Sequence, residues 1–210
     1  MRGEGNPSGA IRRVWVVRHG QVAENLQSRD RLLTAVEYNR LIRGSDPTPL
    51  TPEGRRQIAF LQETFRDRPI PAIHSSPLPR ALETARILAE AMRVPVLPIE
   101  GLRELTPVEL APPLSRRGQR RLRYWFLWSM FWQFMPFSRK GETVWRARKR
   151  VRGAWEELLA WEPPEPAPER LVTAHRGTVM LLVSVLRRER EWEVVRWSVE
   201  NGGITEIIRR

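Results

Sequence analysis

Three places in this chain carry side chains able to attack, hold or protonate an anionic group. Arg18-His19-Gly20 closes a β-branched run, Arg80 follows Ser75-Ser76-Pro77-Leu78-Pro79, and His175 closes the run Arg170–Ala174 (RLVTA). A neutral imidazole is a nucleophile and a base near neutral pH. A guanidinium stays charged at any useful pH and grips a tetrahedral anion with two parallel hydrogen bonds.

The surrounding pattern says what must position these groups. Arg13–Arg18 (RVWVVR) reads as a buried strand that opens into a loop at His19. Thr51 is placed as an N-cap with Pro52 in the first turn, and Ile58, Leu61 and Phe65 recur at helical spacing. Strands are expected over Ile70–Ser75, Val94–Ile99, Arg170–Ala174 and Gly203–Ile208, and helices over Pro79–Met92 and the apolar Val179–Leu186. Alternation of the two implies an α/β fold, a three-layer sandwich around a mostly parallel sheet. In such sheets ligands bind beyond the carboxyl ends of the strands. Both histidines fall at that edge, and they converge if their strands are neighbours. A helix N-terminus after His175 favours an anion there.

Composition bounds the partners. The 210 residues carry 41% hydrophobic and 29% charged residues, which fits one folded domain. The absence of cysteine excludes disulfides, thiolate nucleophiles and cysteine-based zinc sites. The net charge is +12, almost all of it arginine, since Lys140 and Lys149 are the only lysines. That charge attracts phosphorylated ligands, nucleic acid or acidic membrane without choosing among them. Residues 1–12 are read as a flexible tail, 13–210 as a single domain, and about 105–140 as a cap-like insertion. No secretory signal or run of transmembrane length is visible, so a cytoplasmic protein is expected.

Two segments break the strand–helix pattern. Arg116–Phe137 is arginine-rich, then aromatic, and its aromatic part is apolar around a whole helix. A cap lining the substrate pocket is the favoured reading; a homodimer contact comes next, and an interfacial membrane helix flanked by arginines last. Glu162–Glu169 (EPPEPAPE) reads as a surface linker that does not pack.

Taken in order, these pieces resemble the histidine phosphatase, or phosphoglycerate mutase-like, superfamily. The resemblance runs from Val14 to Ile207. It is carried by Arg18-His19-Gly20 with Asn25, Leu50-Thr51-Pro52-Glu53-Gly54 with Gln57, Ser75 to Ala81 with Thr84-Ala85, Leu102-Arg103-Glu104, Gly141-Glu142-Thr143, His175, and Asn201 with Ile204-Thr205. The resemblance implies a phosphomonoesterase that needs no metal or other cofactor. His19 would attack phosphorus and become a phosphohistidine. Arg18, Arg80, His175 and Asn25 would bind the phosphoryl oxygens, and Glu104 would protonate the leaving oxygen. A small phosphorylated substrate is expected, with a phosphoprotein as a further option and no nucleic acid. Gln21 and Val22 replace the usual Glu-Thr, and Arg176-Gly177 replaces Gly-Gly. Leu105–Ala111 lacks the usual glycines, which leaves Glu109 a rival to Glu104. His74 has no matched role and is read as structural. Two alternatives share the fold: phosphoglycerate mutase chemistry, and a non-catalytic phospholigand-binding or scaffold protein.

Overall fold

The computed structural model of the chain describes residues 11–26, 30–44, 47–109, 118–135 and 141–210. Most of the expected tail, and parts of the expected cap insertion (110–117 and 136–140, Phe137 among them), lie outside the described residues.

Eight strands and six helices are described. The strands are β1 (Arg13–Arg18), β2 (Leu32–Leu33), β3 (Ile73–Ser75), β4 (Val96–Pro98), β5 (Arg120–Arg121), β6 (Glu169–Ala174), β7 (Trp192–Arg196) and β8 (Ile204–Arg209). The helices are α1 (Ala35–Gly44), α2 (Pro52–Phe65), α3 (Pro79–Met92), α4 (Leu122–Gln133), α5 (Val144–Ala160) and α6 (Arg176–Leu186). The main sheet has the order β4-β3-β6-β1-β8-β7, and β8 alone among these six runs against the rest. β2 and β5 form a separate short ribbon.

Side-chain alternation along β1 makes the layers. Val14 and Val16 face the core shared with α5 and α6, whereas Trp15 and Val17 face the core shared with α2 and α3. The two clusters together form the α/β/α sandwich expected from the sequence. Thr51 caps α2 by accepting from Gly54 N–H at 3.0 Å, with Pro52 in the first turn. Such a cap contributes about 1 kcal/mol.

Two expectations change, and the aromatic helix shows which side turns inward. The acidic, proline-rich segment does pack at its end: Ala167 is buried and Pro168 accepts from the N–H groups of Arg12 and Arg13. Glu169 opens β6 and receives the Trp15 indole at 2.7 Å. The last core helix starts at Arg176, not Val179, so its N-terminus adjoins His175. The aromatic helix α4 is not buried all round. Trp125, Ser129 and Gln133 face inward, and Trp125 joins Leu33, Ala35 and Tyr38 in a small third core, but Phe126, Leu127, Met130, Phe131 and Phe134 are exposed.

Candidate active site

Strand register brings the two histidines together. β1 and β6 are parallel neighbours with Arg18 opposite Ala174, so the next residue of each strand leaves the sheet at the same edge. His19 N–H donates to the Ala174 carbonyl at 3.0 Å, and the two imidazole centroids lie 5.2 Å apart. β3 ends at the same edge, and Ser76 N–H donates to Thr173 at 3.0 Å.

His19 is buried and its Nδ1 lies 2.7 Å from the Gly20 carbonyl. A carbonyl only accepts, so Nδ1 carries the proton and Nε2 keeps its lone pair. Burial pushes the His19 pKa down to about 3; the Gly20 bond opposes this, and the charges of Arg80 and Arg18 add to it. The ring is therefore neutral throughout the useful pH range, as a nucleophile requires.

Arg80 occupies the first turn of α3, buried beside His175, and its Nε donates to His175 Nδ1 at 3.2 Å. With Nδ1 accepting, the neutral ring carries its proton on Nε2, which donates to Ser76 Oγ at 2.7 Å. Ser76 thus fixes the second imidazole. The sequence showed it only as part of a motif, with no role attached. Burial, followed by the charge of Arg80, lowers the His175 pKa well below its usual value.

Arg18 is buried, and its Nη1 donates to the Val199 carbonyl at 2.6 Å. Asn25 is exposed at the rim; its Oδ1 accepts from Val22 N–H at 3.2 Å and from Asn201 Nδ2 at 2.9 Å, so only its amide nitrogen is left to donate to a ligand. Asn201 Nδ2 also reaches the His19 and Gly20 carbonyls, each at 3.2 Å. Next to it Gly202, at φ 68°, turns its N–H onto the Arg18 carbonyl at 3.1 Å. A side chain at that φ would be strained.

The two candidate acids separate. Glu109 is held by Arg43 through two bonds of 2.7 and 2.6 Å, 66 residues away in sequence. Glu104 instead lies against the start of α6: a Cβ built on Gly177 would sit 2.5 Å from its Oε1. Burial raises the Glu104 pKa, against the opposing effects of the Leu105 N–H and of Arg80 and Arg18. Its backbone is clamped from two sides. Thr178 Oγ1 donates to the Arg103 carbonyl at 2.8 Å, while Arg150 Nη1 donates to the carbonyls of Gly101 (2.7 Å) and Arg103 (2.8 Å). Arg150 is itself oriented by Glu142, at 2.7 and 2.5 Å. Sequence reasoning assigned neither Arg150 nor Thr178; the only signal was Glu142 inside a quoted motif.

The substitutions at 21 and 22 have structural uses. Gln21 accepts from Thr51 Oγ1 through its side-chain carbonyl, and its N–H donates to Gln57 Oε1. Val22 is buried and bridges to Leu50. Thr84 accepts from Gly20 N–H at 3.2 Å, tying the histidine loop to α3. Arg176 is exposed, and close enough to Arg18 to lower the pKa of that group further, after burial and against the charge of Glu104. His74 lies away from the pair, buried edge-on to Trp161 at 4.9 Å. Among the described residues no group of three or more His, Asp or Glu side chains gathers as a metal-binding set. What does gather is a neutral nucleophilic nitrogen, two buried guanidinium groups and a carboxyl held toward its protonated form, a set suited to a phosphate ester.

Comparison with known proteins agrees with this chemistry. The chain matches the histidine phosphatase superfamily (branch 1) over residues 14–210. It is 27% identical over 195 residues to the adenosylcobalamin/alpha-ribazole phosphatase of Salmonella typhi, covering 90% of this chain and 87% of that one. It is 29% identical over 116 residues to a probable phosphoglycerate mutase of Yersinia enterocolitica, covering 52% of this chain and 48% of that one. In fold it resembles the mycobacterial glucosyl-3-phosphoglycerate phosphatase, with a TM-score of 0.63, 22% identity, and 93% and 89% of the two chains covered. The chain belongs to the histidine phosphatase superfamily, branch 1, and with it to the enzymes that hydrolyse phosphate esters.

Proposed function

We propose that this enzyme hydrolyses a small phosphate monoester through a phosphohistidine on His19, without a metal ion. The observation that carries the reading is the state of His19: neutral, with Nδ1 committed to Gly20 and Nε2 left with its lone pair, beside His175 and two buried arginines. Nε2 attacks phosphorus in line, and the bond from phosphorus to the leaving oxygen breaks as the new N–P bond forms. Arg18 and Arg80 neutralise the equatorial oxygens, with Asn25 at the rim. Glu104, whose proton affinity burial raises, gives a proton to the leaving oxygen and becomes the base for the second half. Water then attacks phosphorus and passes its proton to Glu104; the N–P bond breaks, and inorganic phosphate leaves with His19 restored.

His175 changes role when the dianion enters. In the resting arrangement its Nδ1 accepts from Arg80. A phosphate draws the Arg80 donors to itself and raises the proton affinity of the neighbouring imidazole. Nδ1 then takes a proton from solvent, and the resulting imidazolium N–H hydrogen-bonds to a phosphoryl oxygen while Ser76 keeps the ring in place.

The phosphatases among the relatives support hydrolysis of a small phosphorylated metabolite, with a phosphoprotein as a second substrate option. The match to a phosphoglycerate mutase over half the chain supports the alternative that the phosphoenzyme returns its group to a second hydroxyl. The test is rapid mixing with a labelled ester, quenching in alkali where phosphohistidine survives, and mapping of the labelled peptide. Label on the His19 peptide is expected, with none in His19→Ala. Full turnover by His19→Ala overturns the reading. Release of inorganic phosphate, against transfer to phosphoglycerate, separates hydrolase from mutase.

A further inference from the structure

The outer face of α4 has no part in the chemistry above. Phe126 (50% exposed), Met130 and Phe134 (56%) recur every four residues, as do Leu127 (63%) and Phe131 (54%), and together they form an exposed apolar side next to the inward-facing row of Trp125, Ser129 and Gln133; Trp132 is exposed on the other flank of that row. A contiguous apolar stripe of this size marks a contact surface rather than scattered exposure.

Charge selects the occupant. Between Leu110 and Gly141 the chain carries seven arginines or lysines and no carboxylate. Arg123 falls at the N-terminal end of the apolar stripe itself, and Arg120 and Arg121 precede it; all three are exposed. Asp30 is the acidic partner of Arg121 and Arg123, at 3.4 and 3.6 Å between exposed side chains, where solvent weakens such pairs. A second copy seated on this face would set two such cationic segments against each other. An anionic lipid surface instead supplies both an apolar interior for the phenylalanines and counter-charge for the arginines, whose stems can lie along the apolar face while their heads stay in water. The helix is about 18 Å long, too short to cross a bilayer but suited to lying in its plane.

We propose that α4 is a membrane-docking helix: its exposed phenylalanine and leucine stripe inserts into the headgroup layer of an anionic membrane, and the adjacent arginines meet the lipid phosphates. Docking would bring the enzyme to a lipid surface without altering its catalytic groups.

The test is co-sedimentation of the full chain with vesicles of phosphatidylcholine alone and with vesicles containing roughly one-fifth phosphatidylglycerol. Binding is expected only with the anionic lipid, weakened by salt, and reduced about tenfold or more in the double variant Phe126→Glu/Phe131→Glu. Both substitutions are on the surface, so turnover of a soluble ester without vesicles should stay at the wild-type level and report that the variant is folded. Phe60→Glu, at an 85% exposed phenylalanine on α2, should leave binding unchanged. The proposal is overturned by no binding, by equal binding to neutral vesicles, or by equal binding of the double variant. It is also overturned if light scattering shows a dimer that the double variant disperses while vesicles are ignored; a second copy would then occupy the face. His19→Ala should bind vesicles as wild type does, which keeps this result separate from the phosphatase reading.

Discussion

Acid should weaken this fold through its buried histidines, and His74 offers a way to measure one of them alone. Burial, with the charge of Arg170 added, pushes the His74 pKa down to about 4, while an unfolded histidine titrates near 6.5. The folded value is the lower one, so the unfolded chain takes up the proton first. The contribution to stability is complete above pH 6.5 and is lost as pH falls from there toward 4. At pH 5 the loss is about 2 kcal/mol. His19, held at about 3, loses a similar amount, and His175 shifts in the same sense. Glu104 works the other way: its raised pKa makes the folded state the stronger proton binder, so it adds stability as pH falls. Against a total of about 5–15 kcal/mol, these effects are large. Replacing His74 by Phe keeps an aromatic ring against Trp161 and removes two ring nitrogens that have no hydrogen-bond partner among the described residues. Urea unfolding of wild type and His74→Phe at pH 8 and pH 5, followed by tryptophan fluorescence, isolates the effect because every other titrating group is shared. The variant should lose about 2 kcal/mol less than wild type between the two pH values. It should also keep its turnover. An equal loss in both proteins would refute the linkage argument.

Glu104→Gln should slow hydrolysis of alkyl phosphates by about 10²–10⁴-fold but affect p-nitrophenyl phosphate far less, since that phenolate leaves without a proton; equal losses on both esters would count against the acid role. In wild type, kcat/KM for alkyl esters should decline as pH rises through the raised Glu104 pKa, a limb absent from the Gln variant. Gly177→Ala places a methyl group 2.5 Å from Glu104 Oε1 and should lower kcat on alkyl esters by about tenfold or more while substrate binding holds. Arg150→Ala removes the bonds that clamp Gly101 and Arg103 and strands Glu142; a loss of about 2–4 kcal/mol in urea unfolding is expected, with kcat reduced through a displaced Glu104. Turnover should be unchanged by excess chelator, and a chelator-sensitive rate would contradict the metal-free mechanism.

The histidine pair proposed to carry the chemistry was readable because its information is local. Arg18-His19-Gly20 and His175 each close a β-branched run, and a run of that kind forms a strand wherever it is buried. The Thr51 cap and the α3 start at Pro79 were readable for the same reason, since a capping hydroxyl or an N1 proline acts within one turn. What stayed hidden depends on pairs far apart in the chain. Glu104 and Glu109 are alike in sequence, and what separates them is Arg43, which reaches Glu109 across the fold. Arg150 is one arginine among many until α5 carries it to the Arg103 carbonyl. Glu162–Glu169 looks like a linker by composition, yet Glu169 is drawn inward by the Trp15 indole and by Arg13 and Arg68. Which face of α4 turns inward was not legible, because an all-apolar helix can be buried or lie in lipid; tertiary contacts alone set Trp125 against a core and leave Phe126, Leu127 and Phe131 exposed.

The pairing of β1 with β6 has a consequence for how this enzyme comes to be competent. The same ladder that places Arg18 opposite Ala174 places the two imidazoles side by side. Sliding β6 by one residue would turn the wrong row of side chains toward each helix layer and carry His175 out of alignment with His19. Under the proposed mechanism a misthreaded molecule would therefore be inert as well as unstable. Recovery of turnover after refolding should follow the recovery of native sheet step for step.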